Sequence, residues 1–276
     1  MIIGTMEATI NIDGRTWRFD PTHPIDISIP LNFNGPQPNA YGVHPASSIP
    51  CTSGELVGDT RNGGSCNFEQ YTLIPHCNGT HTECVGHITS ERMSIRDCLN
   101  ETLIPAFLTT VAPERAAESR ESYSMAFGGD DIVITRGAIA ASLREPTGEI
   151  GALVVRTKPN DETKLTKTYD GSPPAYFTTD AIELIVELGV RHLLVDLPSI
   201  DRLYDEGRLS NHRTFWNVRP GRFETNAGTR TEATITELVY VPDEIADGTY
   251  LLNLQIAPFA SDASPSRPLL FPVLKK

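Results

Sequence analysis

No stretch of this chain approaches the roughly 18 consecutive apolar residues that span a bilayer, which excludes a transmembrane helix. The amino terminus, Met-Ile-Ile-Gly-Thr-Met-Glu-Ala, has neither the basic start nor the apolar core of a secretory signal. Positive charge is scarce: 23 Lys and Arg stand against 35 Asp and Glu, leaving a net charge of −12. A nucleic-acid or anionic-membrane partner is therefore disfavoured. Cysteines number five, an odd count, and none falls in a Cys-x-x-Cys pair. This argues against a disulfide framework and a closed thiolate zinc site, and for reduced thiols in a cytoplasmic protein. There is no internal repeat, low-complexity tract or domain boundary. With 39% hydrophobic and 21% charged residues, 1–276 is expected to form a single domain with a sizeable core.

Histidine is scarce too, at seven residues, which makes its clustering informative. Three histidines fall between positions 76 and 87, in Pro-His-Cys-Asn-Gly-Thr-His-Thr-Glu-Cys-Val-Gly-His-Ile (75–88), together with Glu83. Imidazole and carboxylate together suit divalent first-row metals, zinc first and manganese as oxygen ligands increase. In an extended strand side chains alternate faces, so His81, Glu83 and His87 point the same way. His76 has the opposite parity, but a turn or bulge at Asn78-Gly79 resets the alternation and lets all four converge. A helix would align His76, Glu83 and His87, but Pro75, Gly79, Gly86 and the β-branched residues disfavour it. Cys77 and Cys84 are read as packing residues.

Elsewhere, residues 1–20 read as an amino-terminal hairpin turning at Asp13-Gly14. The Pro-, Gly-, Asn- and Ser-rich stretch 31–70 reads as a long loop, of a kind that is functional or mobile. Helices are expected at Met93–Leu99, at Thr135–Leu143, and from a Thr179 or Asp180 cap to Leu188. Strands are expected at Ala106–Val111, Ala152–Thr157, Val190–Leu197 and Gly248–Ile256. Strand, helix and strand over 152–197 make a βαβ unit, hence a parallel pair. Its second strand runs into Asp196-Leu197-Pro198-Ser199-Ile200-Asp201, at the end where α/β proteins build sites. In the strand Ala233–Tyr240, Glu237 shares parity with Ala233, Ile235 and Val239, where an unpaired carboxylate would cost several kcal/mol. A bound cation removes that cost; the other reading turns the threonine face inward and Glu237 out. His212 taken alone would more often be structural than a ligand.

The cluster resembles the signature of the cyclase family of metal-dependent hydrolases, the family of kynurenine formamidase and isatin hydrolase. That signature reads His-x-Gly-Thr-His-x-Asp-x-Pro-x-x-His. His81, Glu83 and His87 keep its spacing; an extra residue before His81, glutamate for aspartate at 83, and the absence of proline before His87 depart from it. Asp26-Ile27-Ser28, Asp196-x-x-Ser199-x-Asp201, the late His212, the late Glu237 and Ser264-Pro265-Ser266-Arg267 resemble further family segments, so the likeness spans about 26–273. It implies an α/β fold with one mixed, strongly curved, barrel-like sheet flanked by few helices. It also implies homodimers or homotetramers, and a 31–70 segment covering the pocket.

The resemblance further implies that His76, His81 and Glu83 hold one zinc or manganese ion, and that Glu83, His212 and Glu237 hold a second. Glu83, longer than aspartate by one methylene, favours one ion over two. The implied activity is hydrolysis of an amide-type C–N bond in a small molecule, such as an arylformamide or lactam, by hydroxide generated at the metal, with His87 as general acid. Asp196 and Asp201 fit as second-sphere groups that orient a ligand histidine, Asp201 equally as the cap of the following turn. Tyr41 and His44 fit as substrate contacts, although His44 taken alone would more often be a surface residue. A Lewis-acid lyase or cyclase, and a non-catalytic metal-binding protein on the same fold, remain alternatives.

Overall fold

The computed structural model describes residues 6–143, 150–171 and 173–274. The expected hairpin forms from β1 (Ala8–Ile12) and β2 (Arg15–Phe19), with Asp13 and Gly14 both at positive φ as a two-residue turn requires. The principal sheet has nine strands. In chain order they are β3 (Ile25–Asp26), β4 (His81–Glu83), β5 (Ile104–Val111), β6 (Ala152–Thr157), β7 (His192–Val195), β8 (Thr234–Glu237), β9 (Gly248–Asn253), β10 (Ala263–Pro265) and β11 (Leu269–Pro272). Their spatial order is β10-β4-β8-β7-β6-β5-β9-β11-β3. The central β5 to β8 are mutually parallel, and the flanking strands join antiparallel.

Every residue of β6 is buried, as in a sheet covered on both faces. Leu153 and Val155 face a helical layer that includes Ile139, Ile182, Ile185 and Phe215. Ala152 and Val154 face the opposite core, where they meet Leu194 together with Leu252 and Leu270 from the far flank. These residues line one face of neighbouring strands, and the nine-stranded sheet curls into the α/β half-barrel expected from sequence. The hairpin covers the outside, packing Trp17 and Phe19 on Leu251 and Phe271.

Helices are few and short: α1 (Pro75–Asn78), α2 (Ile95–Cys98), α3 (Arg136–Ser142), α4 (Thr179–Glu187) and α5 (Ser210–Trp216). Thr135 caps α3 as expected. The cap of α4 is Thr178, one residue earlier than the sequence suggested, because the Asp180 carboxylate is engaged by the backbone N–H and hydroxyl of Ser122. Gly189, at positive φ, stops α4.

Segment 31–70 is not the structureless loop expected. Ser47–Pro50 pairs with Glu69–Thr72 and Thr52–Ser53 with Leu56–Val57, forming small ribbons. Glu69–Thr72 is exposed along its whole length, so no apolar alternation marks it in the sequence. Among the described residues no helix is long and apolar enough to cross a membrane.

Candidate metal centre

The site gathers at the carboxyl ends of the parallel strands, where β4 crosses back antiparallel to β8. The register sets Glu83 opposite Ile235 and His81 opposite Glu237. A threonine pair across the two strands, Thr82 to Thr236 at 2.8 Å between hydroxyls, tightens the join. His81, Glu83 and Glu237 are thus brought together by one short ladder, and all three are buried.

The surrounding backbone differs from the expected strand and turn. Residues 75–78 form a helical turn, and neither Asn78 nor Gly79 has a left-handed φ. The Asn78 side chain is occupied instead: its oxygen accepts from Ile74 N–H, closing that turn, and its nitrogen donates to the His44 carbonyl. His76 therefore reaches the site from a helix. His87 arrives from a 3-10 turn, Val85–His87, that continues from β4 in place of more strand. On the other side the strand of Glu237 stops there, because Leu238 adopts φ +55°. Leu238 is pinned by its N–H to the Leu197 carbonyl and by the Thr80 hydroxyl to its own carbonyl. Glu237 is inward, and the threonines of β8 are buried as well, so the choice between two faces does not arise.

Proton positions follow from partners that can only accept. His81 donates from Nδ1 to the Gly79 carbonyl at 2.9 Å, leaving a lone pair on Nε2. His212, on α5, donates from Nδ1 to Asp201 Oδ2 at 2.6 Å, which leaves Nε2 as the nitrogen facing the other carboxylates. That nitrogen lies 2.9 Å from Glu83 Oε1 and 3.6 Å from Glu237 Oε1. Glu237 Oε2 lies 3.5 Å from His81 Nε2, and Oε1 accepts from the Ile200 N–H. His76 places Nδ1 3.0 Å from Glu83 Oε2. Burial disfavours charge on His212, but Glu83, Asp201 and Glu237 outweigh it and hold its pKa well above the usual imidazole range, so without a cation Nε2 takes up a proton that an ion would displace. Burial likewise opposes charge on His76, whose neighbours Asp262 and Glu83 push it up to about 10.

His81 Nε2 and both Glu83 oxygens are buried without a hydrogen bond. Imidazole nitrogens of His76, His87 and His212 ring Glu83 at 3.0, 3.8 and 2.9 Å, none of them aligned as a hydrogen bond, around one shared space. Unpaired acceptors in such a space are costly, and a divalent cation is the partner that satisfies imidazole and carboxylate together. Among the described residues three three-residue groups have ligand atoms mutually within 4.8 Å: His76 with His81 and Glu83, Glu83 with His87 and His212, and His76 with His87 and Asp262. Glu83 belongs to the first two, its Oε2 approached by His76 and His87 and its Oε1 by His212. The expected ligands His76, His81, Glu83 and His212 fall in these groups; Glu237 falls in none but lies 3.5 Å from His81 and 3.6 Å from His212. His87, expected as the general acid, belongs to two of the groups, and Cys77 and Cys84 belong to none. Cys84 packs with Ile95 and Cys98.

Asp201 is placed for both readings offered for it. Besides its hydrogen bond with His212 Nδ1, it accepts from the backbone N–H groups of Asn211 and His212 in the first turn of α5. Asp196 corrects the expectation: its carboxylate accepts from the N–H and hydroxyl of Thr157 and pairs with Lys164 at 2.7 Å, bracing β6 with no contact to a ligand histidine. Tyr41, at φ +60°, lies in the pocket of about 570 Å³ that opens on the cluster, with His76, His87, Leu203, Tyr204 and Leu209. Burial and nearby Glu237 push the pKa of its hydroxyl up, so it stays a neutral donor. His44 is exposed and not part of this lining. Sequence reasoning missed Asp262, whose Oδ2 lies 3.0 Å from His76 Nε2 and 3.4 Å from His87 Nδ1. The only hint was its place two residues before the Ser264-Pro265-Ser266-Arg267 segment.

Comparison with known proteins places the chain among relatives of one family. Residues 19–202 match a family model described as "Putative cyclase". The chain is similar to a kynurenine formamidase of Bacillus cereus, 24% identical over 256 residues, covering 90% of this chain and 97% of that protein. Among solved structures it superposes on a potential metal-dependent hydrolase with cyclase activity (TM-score 0.58, 17% identity, 90% of this chain and 97% of the other). It also superposes on isatin hydrolase A of Labrenzia aggregata bound to benzyl benzoate (TM-score 0.57, 14% identity, 90% and 93%). At such identities the structural likeness speaks for the fold alone.

Proposed function

The chain belongs to the cyclase family, and on that footing we propose that it is a metal-dependent hydrolase cleaving an amide-type C–N bond in a small molecule. The observation that carries this reading is the set of buried, proton-free acceptors, His81 Nε2 and both Glu83 oxygens, facing His212 Nε2 across one space. His76, His81 and Glu83 are the ligands of one ion, with Glu83, His212 and Glu237 the place for a second. The imidazole and carboxylate donors suit zinc first and manganese second. When bound, such an ion lowers the pKa of water to about 7 and polarises a carbonyl oxygen.

The remaining work belongs to this chain's side chains. Glu83 and Glu237 supply the negative charge that balances a cation, and the Ile200 N–H holds Glu237 in place. Tyr41 donates a hydrogen bond to the substrate from the pocket wall. In hydrolysis the water oxygen joins the carbonyl carbon and the C–N bond breaks; the nitrogen cannot leave as an anion and must take a proton. His87 lines the pocket with Nε2 3.8 Å from Glu83 Oε2, and we assign it that donation, from Nε2. The pocket walls from Leu203, Tyr204 and Leu209 are apolar, in keeping with a small-molecule substrate. A homodimer or homotetramer in the cytoplasm completes the proposal.

The test is metal analysis of the purified protein together with a panel of N-formyl anilines, lactams, lactones and cyclic imides, assayed with zinc and with manganese. Turnover of an amide-type member, abolished by chelator and restored by metal, is expected. Replacing His87 by Asn should lower turnover roughly 10²–10⁴-fold with metal content intact. Metal below about 0.2 equivalents after careful preparation would sink the reading, since a site with this donor set binds strongly. Products of elimination or ring closure instead would favour the lyase alternative.

A further inference from the structure

Asp262 stands outside every role assigned so far, yet its position is tightly determined. Strand β10 runs antiparallel to β4 with Ala263 opposite Glu83. The Asp262 carbonyl accepts from the Cys84 N–H at 3.0 Å, and the Ser261 carbonyl from the Ile95 N–H at 2.8 Å. The strand that bears the ligands His81 and Glu83 thus fixes the backbone of Asp262. From there the carboxylate reaches behind two imidazoles. The rings of His76 and His87 stack at 4.2 Å with 28° between planes, so they present matching edges. On one edge lie His76 Nδ1 and His87 Nε2, 3.0 and 3.8 Å from Glu83 Oε2. On the other lie His76 Nε2, hydrogen-bonded to Asp262 Oδ2 at 3.0 Å, and His87 Nδ1, within ion-pair range of the same oxygen at 3.4 Å.

We propose that Asp262 is a positioning residue that sets the tautomer and orientation of both His76 and His87 through a single oxygen. The inference rests on the metal-hydrolase reading above and deepens it. A carboxylate can only accept, so it draws the proton of His76 to Nε2 and leaves Nδ1 as the ligand atom. It draws a proton of His87 to Nδ1 and leaves Nε2 as the atom that carries the mobile proton, as a buried carboxylate does for a catalytic imidazole elsewhere. Because the rings are stacked, one carboxylate disciplines binding and turnover together. The two effects travel by different histidines, which makes them separable.

The experiment compares Asp262→Ala, which removes the acceptor, with Asp262→Asn, which keeps an acceptor oxygen, in the full-length protein loaded with zinc. Zinc affinity is measured by chelator competition, and kcat and KM on the amide-type substrate found in the panel. Asp262→Ala should weaken zinc roughly 10–100-fold without changing the number of ions bound at saturation. It should also lower kcat at saturating zinc by about tenfold or more with little change in KM, and Asp262→Asn should recover most of both losses. In a His87→Asn background the same alanine substitution should no longer lower kcat, yet should still weaken zinc through His76.

Wild-type zinc affinity and kcat in Asp262→Ala would overturn the assignment, as would loss of a whole equivalent of zinc, which would make Asp262 a ligand. An undiminished effect on kcat without His87 would overturn it too. If Asp262→Ala fails to fold, Asp262→Asn carries the test, because the lost charge should still weaken zinc measurably and no change would refute the role. A wild-type protein that holds no metal and turns over nothing would instead fail the underlying site reading, and this assignment with it.

Discussion

Replacing Asp201 by Asn is the sharpest probe of how the second half of the site is built. The change is nearly isosteric, and the structure predicts what it disrupts. Five donors surround the carboxylate: Tyr123 hydroxyl, Ser210 hydroxyl and Asn211 N–H on Oδ1, and the N–H and Nδ1 of His212 on Oδ2. No acceptor faces it, so the amide nitrogen must point at a donor whichever way it turns. The hydroxyls can rotate to accept, so the amide nitrogen should settle on the Oδ1 side, leaving the buried Asn211 N–H unpaired. An orphaned buried donor costs about 1–3 kcal/mol, and loss of the charge-assisted bond to His212 adds about 1 kcal/mol. A total near 2–4 kcal/mol lowers Tm by about 5–12 °C in a domain of this size. His212 also loses the anion that keeps a proton on Nδ1 and Nε2 facing the other carboxylates, so metal affinity should fall roughly 10–100-fold. Melting followed by circular dichroism in chelator separates folding from metal linkage, and competition with a chelating dye reads affinity. A variant that melts within about 2 °C of wild type and binds metal equally well would show that this carboxylate neither ties down α5 nor orients its histidine.

Two further predictions concern the frame around the site. A Cβ built at Gly86 would lie 2.2 Å from the Met93 carbonyl oxygen, so Gly86→Ala must shift the turn that delivers His87. It should lower Tm by several degrees and reduce kcat more than KM; an unchanged melting curve would show that the turn yields freely. At the opposite end of β7, Glu101 accepts from His192 Nε2 and pairs with Arg191, and these partners, His192 foremost, hold its pKa down to about 2. A depressed carboxyl stabilises the fold above its unfolded pKa of about 4.3 and loses that contribution as pH falls towards about 2. The Tm gap between wild type and Glu101→Gln should therefore be widest near neutrality and close across that acid range. A gap independent of pH would mean the ion pair is not its source.

Much of this architecture could be read from the chain because the informative residues are local. Four site residues lie between positions 76 and 87, and helix caps and apolar runs announce the βαβ core. Residues whose meaning depends on distant pairing were harder. Asp262 joins the histidines only through the register of β10 on β4, and nothing beside it in sequence signals a partner. Asp196 ends a parallel strand, where functional acids gather, yet Lys164 and Thr157 claim it. The turn expected at Asn78-Gly79 fails because the asparagine closes a helical turn with its side chain. Glu237 was found by its parity, but the kink at Leu238, which depends on Leu197 and Thr80, was invisible.

The Thr82–Thr236 contact joins residues 154 positions apart, and ligands stand on both sides of that join. A chain that has emerged only as far as α5 carries His76, His81, Glu83 and His212 but lacks Glu237 and the strand that β4 pairs with. The ladder that aligns His81 and Glu83 is complete only once β8 docks, so tight loading falls late in folding and a bound cation would fasten two distant parts of the chain together.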